Sequence, residues 1–279
     1  MIFLKTEERP GIEFCNTDLY QGVQIKAVLF DMDGVILDTE KLYVRFWQEA
    51  AAFYGYEMTY EMALGMRSLN PALGMARMKE YFGPFVDYQM IRNKRMQLME
   101  LFVSQYGVDA KPGICELLEF LKENKVKSAV ATSSPPDRAR YYLAYAGVLS
   151  EFEGVASAHR VKKGKPEPDV FLYAVEKLGL QPEECLVLED SSTGLLAAYR
   201  AGCVPVMVPD LDQPDDEVKG RIFAVVQNLV TIIDMIEVIP DPEEEEELEG
   251  EESEGEESEG EESDDEEVEK TEEIESIEE

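Results

Sequence analysis

The sequence predicts an α/β chain, a mostly parallel sheet covered on both faces, with a helical block inserted after its first strand and an acidic tail. Three features point to it. From about residue 107 to residue 236, short continuous apolar runs alternate with helical periods, the pattern of strands buried on both faces. Residues 39–106 carry helical spacing alone. Residues 241–279 hold 25 acidic residues and one basic residue, net −24 of the chain's −34. The remaining 240 residues are net −10, ordinary for a globular body. This balance argues against nucleic acid or anionic lipid as a main partner, because both reward clustered Lys and Arg.

In chain order, residues 1–24 show no period and read as an N-terminal extension. Ile25-Lys26-Ala27-Val28-Leu29-Phe30 is an apolar strand that stops at Asp31-Met32-Asp33-Gly34. The 39–106 block shows helical spacing of three and four (Leu42, Phe46, Ala50, Phe53; then Met90, Lys94, Leu98, Leu101), punctuated by Gly55, Pro71 and Gly83-Pro84. After Lys111-Pro112-Gly113, helix 114–124 leads to strand 127–131, which stops at Thr132-Ser133-Ser134. Helix 136–146, strand 152–156, helix 168–178, strand 185–188, helix 194–201, strand 205–208 and a last helix 229–236 follow, with Gly147, Gly179 and Gly202 closing helices. The expected division is a core of 25–38 and 107–239, a cap of 39–106 and a tail of 240–279. The tail repeats Gly-Glu-Glu-Ser-Glu/Asp from Gly250, Gly255 and Gly260. It has too little apolar surface to offset its ordering entropy, so disorder is expected, with weak binding of a basic partner.

Several classes fall away. The longest apolar stretch, 222–239, is broken by Gln227, Asn228, Asp234 and Glu237, so no membrane span is expected. The N-terminus lacks the basic-then-apolar pattern of a signal peptide. Cys15, Cys115, Cys185 and Cys203 are far apart and read as reduced thiols of a cytoplasmic protein.

In a parallel sheet, ligands bind beyond the carboxyl ends of the strands. Those ends carry Asp31 and Asp33, Thr132 and Ser133, and Glu189 and Asp190, with Lys165 just before a helix. Four carboxylates would repel an anionic substrate. A hard divalent cation, Mg²⁺ before others, offsets two charges and Lys165 a third. A phosphoryl group can then bridge metal, ammonium and hydroxyl, the arrangement phosphoryl transfer needs. At D-x-D spacing two carboxylates project to one side of a strand end, one to attack phosphorus and one to protonate the leaving oxygen.

Four motifs in order, Asp31-Met-Asp33-Gly-Val, Thr132-Ser133, Gly164-Lys165-Pro166 and Leu188-Glu189-Asp190-Ser191, resemble the haloacid dehalogenase-like superfamily over residues 25–236. The helical insertion is similar to the small (C1-type) cap of its β-phosphoglucomutase-like branch, on a Rossmann-like core. The resemblance implies Asp31 as the nucleophile that forms an aspartyl-phosphate and Asp33 as general acid, then base. Thr132, Ser133 and Lys165 would hold phosphoryl oxygens. Mg²⁺ would be held by Asp31, the Asp33 carbonyl, Asp190 and Glu189. Arg67 lies where cap loops of this branch touch substrate. The implied function is a Mg²⁺-dependent phosphatase of small phosphorylated metabolites such as sugar phosphates. The alternative is a β-phosphoglucomutase-like phosphotransferase, but Tyr43 falls where such mutases carry a cap histidine, and a phenol is a poor proton shuttle at neutral pH. Lys41 reads as a solvated helix face, His159 as a loop histidine without catalytic role, and Trp47 as cap core.

Overall fold

The computed structural model describes residues 1–239 apart from residues 8, 9, 68 and 70; the expected disorder of 240–279 lies outside the described residues. The strands are β1 (Ile2–Leu4), β2 (Ile12–Phe14), β3 (Gln24–Ile25), β4 (Ala27–Phe30), β5 (Lys127–Thr132), β6 (Val155–Ser157), β7 (Cys185–Glu189), β8 (Val204–Met207), β9 (Ala224–Val226) and β10 (Ile236–Val238). The helices are α1 (Glu40–Phe53), α2 (Tyr60–Leu64), α3 (Pro71–Phe82), α4 (Tyr88–Tyr106), α5 (Ile114–Glu123), α6 (Pro136–Tyr145), α7 (Asp169–Leu178), α8 (Ser192–Ala201), α9 (Asp216–Lys219) and α10 (Thr231–Asp234). Seven strands form the main sheet in the order β2-β9-β8-β7-β4-β5-β6, parallel except for β2 on β9.

Alternation within β4 divides the core. Val28 and Phe30 face a cluster built with α5 and α6 (Leu117, Leu121, Tyr142, Leu143), while Ala27 and Leu29 face α7 and α8 (Phe171, Ala174, Ala197, Ala198). All four β4 residues are fully buried, which is why the strand reads as continuous apolar sequence. The insertion α1–α4 has a core of its own around Trp47, Ala50, Met78, Tyr88 and Ile91. Its base, Tyr43, Phe46, Met99 and Val103, joins the main core.

The structure corrects several local readings. Residues 1–24 supply β1, β2 and part of β3. Ile2 pairs with Val238 and Ile12 with Val226, so the two ends of the described chain are stitched together. Ile25 belongs to a separate three-stranded sheet, β10-β1-β3, and not to the central strand. The last helix is the short α10, after which Ile236–Val238 runs as a strand. In α4 the buried stripe is Ile91, Arg95, Met99 and Val103. Met90 and Leu101, expected on the inner face, are exposed, as is Phe53. All four cysteines are free thiols. Among the described residues, no helix is long and apolar enough to cross a membrane.

Candidate active site

Register brings the reactive groups together. β4 lies between β5 and β7, with Phe30 level with Val130 and Leu188. The chain therefore leaves all three strands at one edge, and Asp31 N–H donates to the Leu188 carbonyl at 2.9 Å. Gly34 turns the chain away with φ +86°, and a Cβ there would overlap the Asp190 carboxylate. Only glycine meets both demands.

Asp31, Glu189 and Asp190 form a buried cluster in which one oxygen from each lies within 4.8 Å of the others. Lys165 Nζ donates to Asp31 Oδ1 at 2.5 Å, to Glu189 Oε1 at 2.6 Å and to the Ala131 carbonyl at 3.1 Å. Glu189 Oε2 also accepts Ser191 N–H and Oγ–H, at 3.0 and 2.9 Å. Burial, then Glu189 and Asp33, push the Asp31 carboxyl up to about 7 despite Lys165. Asp190 is held well above the carboxylate range by burial and by Glu189, Glu40 and Asp31. Burial works against the Lys165 ammonium, but Asp31 and Glu189 more than reverse it, so it stays charged. Three buried hard oxygen donors, two of them short of positive charge, suit a divalent cation.

Glu189 has no room to move. A Cβ at Gly194 would overlap its carboxylate, which is already fixed by Lys165 and Ser191. Ala ordinarily improves a helix by up to about 1 kcal/mol over Gly. Gly194→Ala is expected to do the reverse, costing about 1–3 kcal/mol through overpacking and weakening divalent-cation affinity. Denaturant unfolding and a metal titration check this; a stabilised chain would contradict it.

Asp33 is held differently. Its Oδ1 accepts from Thr39 Oγ1 at 2.7 Å and from the Tyr43 hydroxyl at 3.0 Å, and its Oδ2 accepts from Ser134 Oγ at 3.1 Å. Arg138 in turn donates to Ser134 Oγ at 3.0 Å. Its side chain lies outside the carboxylate cluster. Thr39, Tyr43 and Ser134 were not among the expected site residues, although Thr39 stands on the same sequence run as the cap helix start.

These groups open on one cavity of about 400 Å³ lined by residues of both core and insertion. Of the expected site residues, Asp31, Asp33, Ser133, Lys165, Glu189, Asp190 and Arg67 line it. Thr132 does not; it is fully buried, and its hydroxyl accepts Ser134 N–H at 3.0 Å, shaping the turn. Arg67 is occupied, with Nη1 3.3 Å from Glu40 and Nη2 2.5 Å from Asp212. Buried Glu40, whose carboxyl is pushed up to about 8 by burial and Asp33 against the pull of Arg67, is a second unexpected member. Trp47 serves both the insertion's core and the cavity wall, and exposed His159 stands at the wall as well.

The profile of the haloacid dehalogenase-like hydrolases matches residues 25–202. The chain belongs to this family. Among the haloacid dehalogenase-like hydrolases, it is 33% identical over 178 residues to the phosphorylated carbohydrates phosphatase of Thermotoga maritima, a span of 64% of this chain and 82% of that one. To hexitol phosphatase A of Escherichia coli it is 30% identical over 202 residues, 69% and 90% of the two chains. The crystal structure of a putative β-phosphoglucomutase from Thermotoga maritima superposes with a TM-score of 0.62 at 28% identity, covering 75% of this chain and 99% of the other. The chain is thus a haloacid dehalogenase-like hydrolase of phosphatase type, in the β-phosphoglucomutase-like branch.

Proposed function

We propose that this chain is a Mg²⁺-dependent phosphatase of small phosphorylated metabolites, sugar phosphates foremost, acting through an aspartyl-phosphate on Asp31. The observation that carries the reading is the unlike treatment of the two carboxylates. Asp31 is paired with an ammonium and belongs to the metal-type cluster, as a nucleophile must be to stay ionised. Asp33 is held by hydroxyls, which can turn from donor to acceptor as a proton comes and goes. Two relatives whose names specify phosphorylated carbohydrates and hexitols support the substrate class.

Asp31 attacks phosphorus, and the P–O bond to the alcohol breaks as Asp33 gives its proton to the leaving oxygen. Asp33 then takes a proton from water, which attacks the phosphoryl group, releases inorganic phosphate and restores Asp31. Lys165 and the 132–134 turn orient the phosphoryl oxygens. Asp31, Glu189 and Asp190, with the Asp33 carbonyl, would hold Mg²⁺. When bound, the ion neutralises the clustered carboxylates and the phosphoryl oxygens.

The mutase reading draws on the resemblance to the putative β-phosphoglucomutase structure. At the position of the mutases' cap histidine, Tyr43 is no substitute: its phenol is committed to Asp33, and burial holds its proton on well above neutral pH. A panel of phosphorylated metabolites, assayed with Mg²⁺ and with EDTA, tests the proposal: hydrolysis dependent on Mg²⁺ is expected. Transfer to a second sugar hydroxyl without phosphate release would replace it.

Metal linkage should also show in stability. The folded Asp31 carboxyl sits near 7, against about 3.9 in an unfolded chain. Its contribution is therefore fullest below the unfolded value and is lost as pH rises toward 7. Mg²⁺ replaces the proton, so its stabilising effect grows with pH. Melting in EDTA and in saturating Mg²⁺ is expected to show a larger metal increment at pH 8 than at pH 6. Equal increments, or a larger one at pH 6, would contradict this linkage.

A further inference from the structure

Four arginines and Lys165 line the cavity. Two of these five cations are already matched: Lys165 by Asp31 and Glu189, Arg67 by Glu40 and Asp212. The other three gather on the far side of Asp33. The Arg95 guanidinium lies over the rings of Tyr43 and Trp47, at 4.8 and 5.0 Å. Arg138 reaches Ser134. Arg92, nearly one turn before Arg95 on α4, faces the Tyr88 hydroxyl. Tyr43 and Ser134 bond Asp33, so Arg95 and Arg138 stand one side chain beyond the general acid, with Arg92 beside Arg95 on α4.

Among the described residues, none of the three has a carboxylate within 4.0 Å. Arg95 is only 8% exposed, and its Nε, like those of Arg138 and Arg67, is buried without a partner. The three differ electrostatically: burial lowers the Arg95 proton affinity, and Arg138 and Arg92 lower it further against Tyr43, whereas Tyr43, Asp33, Tyr142 and Glu100 more than offset the burial of Arg138. Arg95, the buried member, is a cation with no carboxylate beside it, which is costly, whereas buried Arg67 has Glu40 and Asp212. Guanidinium forks suit planar or tetrahedral oxyanions.

We propose that Arg92, Arg95 and Arg138 bind a second anionic group of the substrate, a phosphate or a carboxylate, at the end away from the phosphoryl group that Asp31 attacks. The order of groups along the cavity fits. The phosphoryl end meets Asp31 and Lys165, the leaving oxygen meets Asp33, and the remainder of the molecule extends toward the arginines. A cavity of about 400 Å³ is in the range that holds small metabolites. The inference rests on the phosphatase reading for which end reacts, but its test is one of binding.

Titration calorimetry on the Asp31→Asn chain with Mg²⁺ compares a sugar bisphosphate, the monophosphate of the same sugar, and a sugar phosphate ending in a carboxylate. One or both doubly anionic compounds are expected to bind more than about tenfold tighter than the monophosphate, the larger gain identifying the second group. Half-buried Arg92 is the safest of the trio to change, and Arg92→Gln is expected to shrink that advantage about 10- to 100-fold, the worth of a charge-assisted hydrogen bond. An equal affinity for all three compounds, or an advantage untouched by Arg92→Gln, would overturn the proposal. Should Asp31→Asn fail to fold, the same ratios are read as kcat/KM on the unmodified chain. Failure to hydrolyse any phosphate ester would instead remove the phosphatase reading, leaving the affinity ratios to decide this one.

Discussion

Asp31→Asn is expected to lower turnover of an aryl phosphate by at least about 10⁴-fold, the scale on which removal of a covalent nucleophile acts. The amide keeps the size of the carboxyl and can still meet the neighbouring Lys165, so the pocket should hold its shape. What it loses is an oxygen able to attack phosphorus. Stability should not fall with activity. The wild-type carboxyl is pushed up to about 7, mainly by burial, so its charge is a burden on the metal-free fold and the neutral amide lifts part of it. A melting temperature equal to or above that of the unmodified chain, with activity gone, is the expected pair of results. Activity within tenfold of the original would remove Asp31 as the nucleophile.

Asp33→Asn should be the next most damaging change, and it should be selective. Loss of a positioned acid and base costs about 10²–10⁴ in rate. With a sugar phosphate, both the departure of the alkoxide and the attack of water suffer. With an aryl phosphate whose phenol leaves readily as an anion, the first step needs little help and only the second is impaired. Rapid mixing with that substrate is therefore expected to give a burst of phenol close to one per chain, followed by slow turnover. Equal losses on the two substrates and no burst would assign Asp33 a purely structural role. Thr39 and Tyr43 donate to one oxygen of this carboxylate and Ser134 to the other; the amide oxygen can still accept from the first two while its NH2 donates to Ser134 Oγ, so the variant should fold.

Much of this could be read before the fold was known because the central strands are buried on both faces. Residues 27–30, 127–132 and 185–189 are almost wholly buried, so hydrophobic content alone marks them, and a parallel sheet brings whatever follows them to one edge. Asp31, Glu189 and Asp190 were legible for that reason. The terminal strands were not. β1 and β2 are three residues long and each pairs with a segment more than 200 residues away, β1 also with the two-residue β3, so no local period records them.

The arginine side of the cavity was hidden for a different reason. Arg95 occupies the buried row of α4, between Ile91 and Met99 at spacings of four. A cation inside an apolar row was the available signal, but the sequence reading followed Met90, Leu98 and Leu101 and so took a neighbouring face. Ser134 and Arg138 also stand four apart, around the start of α6, and their link to Asp33, 101 residues before Ser134, leaves no local pattern.

The most direct test is to find the phosphoryl group on the protein. The Asp33→Asn chain, mixed with an aryl phosphate and Mg²⁺ and quenched in acid within the burst, is to be digested and examined by mass spectrometry. A phosphorylated peptide bearing its modification at Asp31 is the predicted result. Phenol and inorganic phosphate released in step, with Asp31 unmodified at every time point, would contradict the account.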